Sequence, residues 1–96
     1  QIKEQMGLTR QAVADYDKAL SLAPGNPLYH LQKGLLERRN GDRQAAVTSF
    51  TRALALNVTY TEAYLQRGST LAELDKTNEA AADFRQVQKL GGADST

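Results

Sequence analysis

The sequence has 96 residues, with no cysteine, a single histidine and no apolar run longer than the four residues Ala53, Leu54, Ala55 and Leu56. Without cysteine there is neither a disulfide nor a thiol nucleophile nor a thiolate metal site. Cysteine-free chains occur in reducing and oxidising surroundings alike, so no compartment can be read from this absence. A bilayer-crossing helix needs roughly 20 apolar residues; the chain reads as soluble and no membrane partner is expected. The net charge is +1 with 24% charged residues, a surface of mixed sign without the general field that draws a protein to polyanions. His30 has no second ligand four residues on, where Gly34 stands. Apart from the Gly91–Gly92 pair that ends the last helix, the glycines sit singly at helix crossings and turns and do not form a phosphate-cradling loop. Asp15 and Asp17 lie on different faces of any helix that carries them, which does not suit acid–base work on one substrate. No catalytic group, metal or cofactor is therefore expected, and the chain is read as a non-enzyme.

What the chain does have is a 34-residue period. Ala12, Ala46 and Ala80 recur at that step, as do Tyr16, Phe50 and Phe84, then Ala19, Ala53 and Val87, then Leu22, Leu56 and Leu90, and finally Gly34 and Gly68. A repeat of this length is one supersecondary unit that buries its apolar face only by stacking on a neighbour. Within each period, apolar residues fall at steps of three and four, the spacing of an amphipathic helix. Helices are predicted over residues 9–22, with Thr9 as N-cap, 27–40, 43–56, 60–74 and 78–90. The cluster from Pro24 to Pro27 ends the first of these, and Asn26 caps the second with Pro27 at its first position, where a missing N–H costs nothing. Gly41 breaks the second helix and Asp42 caps the third. Thr59 followed three residues later by Glu62 has the form of a capping box.

Small residues at Gly34, Ala46, Ala53, Gly68 and Ala80, with aromatic residues at fixed distances from them, resemble the tetratricopeptide repeat, a helix–turn–helix unit in which two helices cross closely. The middle repeat (27–60) matches at Gly34, Gly41, Ala46, Phe50 and Ala53, with His30 at an aromatic position. The third (61–92) matches at Tyr64, Gly68, Leu71, Ala80, Phe84 and Val87. The first (1–26) is incomplete and matches at Gly7, Ala12, Tyr16, Ala19 and Pro24, while residues 93–96 form a frayed tail. The resemblance covers essentially the whole chain. It implies one all-α domain over 1–92, a right-handed solenoid of antiparallel helix pairs, serving as a scaffold for protein–protein interaction.

The same resemblance implies a concave groove lined by the first helix of each repeat, here Leu28, Leu31, Leu35, Arg38 and Arg39 in the middle repeat and Glu62, Leu65, Ser69, Ala72 and Glu73 in the third. That groove would take an extended or helical segment of a partner, with apolar anchors and a charge preference set by Arg38, Arg39, Glu62 and Glu73. Leu28, Leu31 and Leu35 form an apolar stripe that equally suits packing against the preceding helix, or self-association. Homo-oligomer or complex assembly without a peptide ligand is accordingly the alternative function. An array needs a polar capping helix at each end, and none is read here, which suggests a piece of a longer array or a solenoid that stacks on itself. Lys33, Arg38, Arg39 and Arg43 gather near one turn, but the third repeat has Arg67, Ala72, Glu73 and Thr77 there, so RNA binding is not expected. Some members of the family grip acidic chaperone tails with a two-carboxylate clamp of lysine, asparagine and arginine. Leu31, Leu35, Glu62 and Gln66 stand at the corresponding positions, and on that basis no chaperone-tail binding is expected.

Overall fold

The computed structural model describes the backbone of residues 2–91 and the side chains of residues 10–91. Five α-helices follow in order: α1 (Ile2–Leu22), α2 (Pro27–Arg39), α3 (Arg43–Leu56), α4 (Thr61–Glu73) and α5 (Thr77–Gly91). Turns of three residues between α2 and α3 and between α4 and α5 are too short for anything but antiparallel neighbours. These helices pair as α2 with α3 and α4 with α5, α1 packs on α2, α3 packs on α4, and α2 also touches α4 directly. The result is an elongated body of 44 × 30 × 20 Å, one layer of first helices backed by one layer of second helices. The tail at 93–96 lies outside the described residues.

Local chemistry explains most boundaries. The Asn26 side chain accepts from the Leu28 N–H at 3.0 Å, which caps α2 as expected, and Pro27 occupies its first turn. Gly41 closes the α2–α3 turn at φ +89°, a conformation that costs glycine nothing. One period later the α4–α5 turn needs the same left-handed geometry, and there Asp75 adopts it at φ +61°. Asp75→Gly is therefore expected to stabilise the protein by about 0.5 kcal/mol, the relief of the side-chain clash exceeding the extra freedom of the unfolded chain. A urea midpoint that moves up without a change in slope is the confirming result, and a fall in the midpoint refutes it.

Three predicted side-chain caps are not formed. α1 runs unbroken through Gly7 and Thr9, so Thr9 opens no helix and the first unit has no turn at Gly7. A lone glycine within a helix costs only about 1 kcal/mol, and without a proline the segment stays helical. The Thr59–Glu62 box is also absent. Asn57 Oδ1 accepts from both the N–H and the hydroxyl of Thr59, at 3.2 and 3.0 Å, while α4 begins two residues later and Glu62 accepts from Gln66. Asp42 precedes α3 without a side-chain cap hydrogen bond.

The core lies where α2, α3 and α4 meet. Leu31, Ala46, Phe50, Ala53, Leu54 and Ala63 are buried together, with Leu35, Tyr60 and Tyr64 packed on them. Gly34 lies against the Phe50 ring: a Cβ there would sit 2.5 Å from Cε1. Gly68 stands in the same relation to Phe84 Cε1, at 2.9 Å, and Ala80 is buried. The small residues thus make room for the aromatic ring of the paired helix. Phe84 itself is 39% exposed, since no described helix covers the outer face of α5 in the way α4 covers Phe50. Ala12, Tyr16 and Ala19 are half-buried where α1 meets α2, with the rings of Tyr16 and Tyr29 6.2 Å apart.

Candidate functional site

The last turn of α2, the first turn of α3 and the last turn of α4 converge on one side of the solenoid. Arg38 and Arg39 close α2, where the partial negative charge of a helix C-terminus favours cations. Glu73 closes α4, where the same dipole disfavours an acid. Its carboxylate is held there by arginines. Arg38 donates from Nε to Oε1 at 3.0 Å and from Nη2 to Oε2 at 3.1 Å, and Arg43 donates from Nε to Oε1 at 3.2 Å. Arg38 Nη1 donates to Gln66 Oε1 at 3.0 Å, and Gln66 in turn donates to Glu62 at 2.7 Å. An open cavity of about 320 Å³ is lined by Leu35, Arg38, Arg39, Arg43 and Glu73.

The hydrogen bonds from Arg38 hold the Glu73 carboxyl below its ordinary range against the opposing effect of burial, with the charge of Arg38 and the hydrogen bond and charge of Arg43 adding to them. A carboxyl lowered by folding favours the folded state fully above its unfolded pKa. That contribution disappears as the pH falls through the lowered value.

The residues expected to line the groove divide into three groups. Leu35, Arg38, Arg39 and Glu73 surround the cavity. Leu28, Leu65, Glu62 and Ala72 are exposed and Ser69 is half-buried along the same two helices, so they extend the surface away from it. Leu31 is 4% exposed and belongs to the core cluster. The apolar stripe is therefore core at its centre and accessible at Leu28 and at the edge of Leu35. Lys33 separates from the basic group, because it points toward α1 and pairs with Asp17 at 2.6 Å. Arg43 and Gln66 join the site although neither was among the groove positions. The signal for Arg43 was its place just across the 40–42 turn from Arg38 and Arg39.

A second cavity, of about 280 Å³, lies among α3, α4 and α5. Its lining sets one guanidinium, Arg67, against the carboxylates of Asp83 and Glu79. Arg67 forms two bonds to Asp83, from Nε at 2.8 Å and from Nη2 at 2.7 Å, and a third to the Thr51 hydroxyl at 3.2 Å. The first site differs in carrying three guanidinium groups against one lining carboxylate.

The family model of the tetratricopeptide repeat matches residues 1–26, 28–57 and 61–90. Among curated proteins, the chain is 30% identical over 83 residues to DnaJ homolog subfamily C member 3 of Mus musculus, covering 86% of this chain and 16% of that protein. It is 35% identical over 80 residues to Hsc70-interacting protein 1 of Drosophila melanogaster, covering 83% of this chain and 21% of that protein. The chain thus spans about a fifth or less of these relatives. Among solved structures it is similar to the first TPR of Spaghetti (RPAP3) bound to HSP90 peptide SRMEEVD, with a TM-score of 0.84 and 31% identity over 88% of this chain and 67% of that one. This likeness overturns the exclusion of chaperone tails drawn from Leu31, Leu35, Glu62 and Gln66, since a domain of the same fold and comparable sequence holds just such a tail. The exclusion tested four positions of one pattern. Basic groups gather around one open cavity here from Arg38, Arg39 and Arg43, and Leu31 lies in the core. From the three matched segments and the helix pairs they fold into, the chain belongs to the tetratricopeptide repeat family, whose members are protein-interaction scaffolds.

Proposed function

We propose that this chain is a peptide-binding module whose concave face takes a short acidic segment of a partner protein, with a chaperone tail ending in carboxylates as the ligand class. The observation that carries the reading is the excess of guanidinium over carboxylate around one open cavity, formed by Arg38, Arg39 and Arg43 against Glu73. Guanidinium forks match carboxylates in two-point geometry. Leu28 and Leu65, 45% and 38% exposed on the same two helices, offer apolar contact to the rest of the peptide. Relatives with such ligands in their names or structures support the choice of class. The function is passive recognition and involves no catalysis.

Fluorescence anisotropy with labelled SRMEEVD tests this reading. Saturable binding is expected, weakening as salt rises because the contacts are charged and near solvent. The double charge reversal Arg39→Glu/Arg43→Glu is expected to weaken it about tenfold or more, equivalent to about 1.4 kcal/mol. Binding insensitive to both salt and charge reversal would remove the arginine cluster from the mechanism. No saturable binding at all would remove the ligand class.

A further inference from the structure

We propose that Glu73 is an internal competitor for the arginines that receive the ligand, so that a bound peptide must exchange its own carboxylate for the one the protein already supplies. The inference rests on the reading of the concave face as an acidic-peptide site and identifies the residue that sets its threshold.

Both oxygens of Glu73 are engaged, Oε1 by Arg38 Nε and Arg43 Nε and Oε2 by Arg38 Nη2. With Nη1 committed to Gln66, Arg38 directs all three of its nitrogens at α4. This is the two-point embrace that a ligand carboxylate would receive. The Glu73 side chain is 38% exposed, and those of Arg38 and Arg43 are 28% and 45% exposed. Ion pairs so open to water are worth little net free energy and are readily exchanged. The end of α4 offers Glu73 no other stabilisation, because the helix dipole there opposes a negative charge. Arg39, also at the cavity, has no ion pair among the described residues. One period earlier than Glu73, the chain has that same Arg39, so the acid stands where the preceding repeat has a base.

Exchange has a consequence for selectivity. A ligand with one carboxylate that replaces Glu73 at Arg38 and Arg43 breaks as many charged contacts as it makes. A ligand with several can replace Glu73 and also engage Arg39. The site therefore favours clustered carboxylates over single ones.

The test compares wild type, Glu73→Gln and Glu73→Ala by anisotropy with labelled SRMEEVD, after circular dichroism has shown that all three are folded. Both variants are expected to bind about three- to tenfold more tightly, the equivalent of removing one exposed competing pair. Glu79→Gln removes the same charge at the other cavity and should change affinity less than about twofold, which separates competition from a general rise in positive charge. A version of the peptide with amides in place of every carboxylate should gain nothing. Tighter binding by the Glu73 variants, including binding that appears where wild type has none, supports the inference. If wild type binds and the double reversal of Arg39 and Arg43 weakens binding, but Glu73→Gln leaves affinity unchanged or lowers it, the inference fails and the site reading stands. If neither wild type nor either variant binds, both fail.

Discussion

Phe50→Ala is expected to destabilise the protein by about 3–5 kcal/mol, a large share of the roughly 5–15 kcal/mol that a natural domain possesses. The ring is fully buried between α2, α3 and α4, so its removal opens a cavity that touches both repeats and leaves Gly34 facing empty space. Gly34→Ala approaches the same contact from the other side. Its Cβ would stand 2.5, 2.7 and 3.0 Å from three ring carbons, so the ring must move within a packed core. Overpacking of this kind costs about 1–3 kcal/mol, offset in part by the roughly 1 kcal/mol that alanine gains over glycine within a helix. In the Phe50→Ala background the clash disappears and only the helical preference remains, so Gly34→Ala should there become neutral or stabilising. That change of sign in a double-mutant cycle, followed by urea denaturation, is the specific mark of a glycine retained to admit a ring. At Gly68 and Phe84 the ring is 39% exposed, and Phe84→Ala should cost clearly less than Phe50→Ala. A Phe50→Ala penalty below about 1 kcal/mol would show that the ring is not the centre of the core.

Much of this arrangement was legible in the chain because the repeat states each contact more than once. Gly34 and Gly68 stand 16 residues before Phe50 and Phe84, and both pairs prove to be glycine–ring contacts. Small residues show where helices approach and the large one shows what fills the space: the atoms nearest a Cβ at Gly34 all belong to the Phe50 ring. The turns were half legible. Gly41 announces a left-handed residue, but Asp75 meets the same demand without any local sign. The capping box misled because Asn57, two residues upstream, captures Thr59 first, and a four-residue pattern cannot register that competitor. Of the residues around the cavity, Leu35, Arg38, Arg39 and Glu73 stood among the expected groove positions and Arg43 did not. The clamp exclusion failed because it asked for particular residue types at particular positions, whereas charge reaches a groove through long side chains from several. Arg38 and Glu73 are 35 residues apart, one period and one residue, which in a stacked array means side by side.

Asp83→Ala is expected to cost about 2–3 kcal/mol, because it strands a cation in a partly buried place. The Asp83 side chain is only 6% exposed and receives both bonds from Arg67, which is 22% exposed and also lies over the Tyr64 ring at 5.8 Å. The bond to Asp83 raises the already high Arg67 pKa further, so the cation persists throughout the range in which proteins are handled. A fully enclosed pair costs about 3–5 kcal/mol to break, and the exposure of Arg67 brings the figure down. Arg67→Met should cost a similar amount by leaving the Asp83 carboxylate unpaired. The double replacement Arg67→Met/Asp83→Leu should recover most of the loss, since an apolar pair of comparable size needs no dehydrated charge. Urea denaturation in low and in about 1 M salt separates this pair from the Lys33–Asp17 contact, whose acid is 53% exposed. The Asp83 penalty should survive the salt, while that of Asp17→Ala should shrink toward zero. Double-mutant losses equal to the sum of the singles would mean that the two side chains act independently, contrary to their geometry. The equivalences within the repeat give the pair its structural meaning. Lys33 corresponds to Arg67, Ser49 to Asp83 and Asp17 to Thr51. In the middle repeat the cation reaches back to Asp17 on α1, and the buried Ser49 hydroxyl turns to Glu37. In the third, the cation turns to Asp83 within its own helix pair and spares only its remaining nitrogen for Thr51. One cationic position thus ties a repeat to its predecessor in one case and locks a hairpin in the other. Loss of Asp83 should therefore loosen α5 from α4 before it disturbs the packing of α2 on α3.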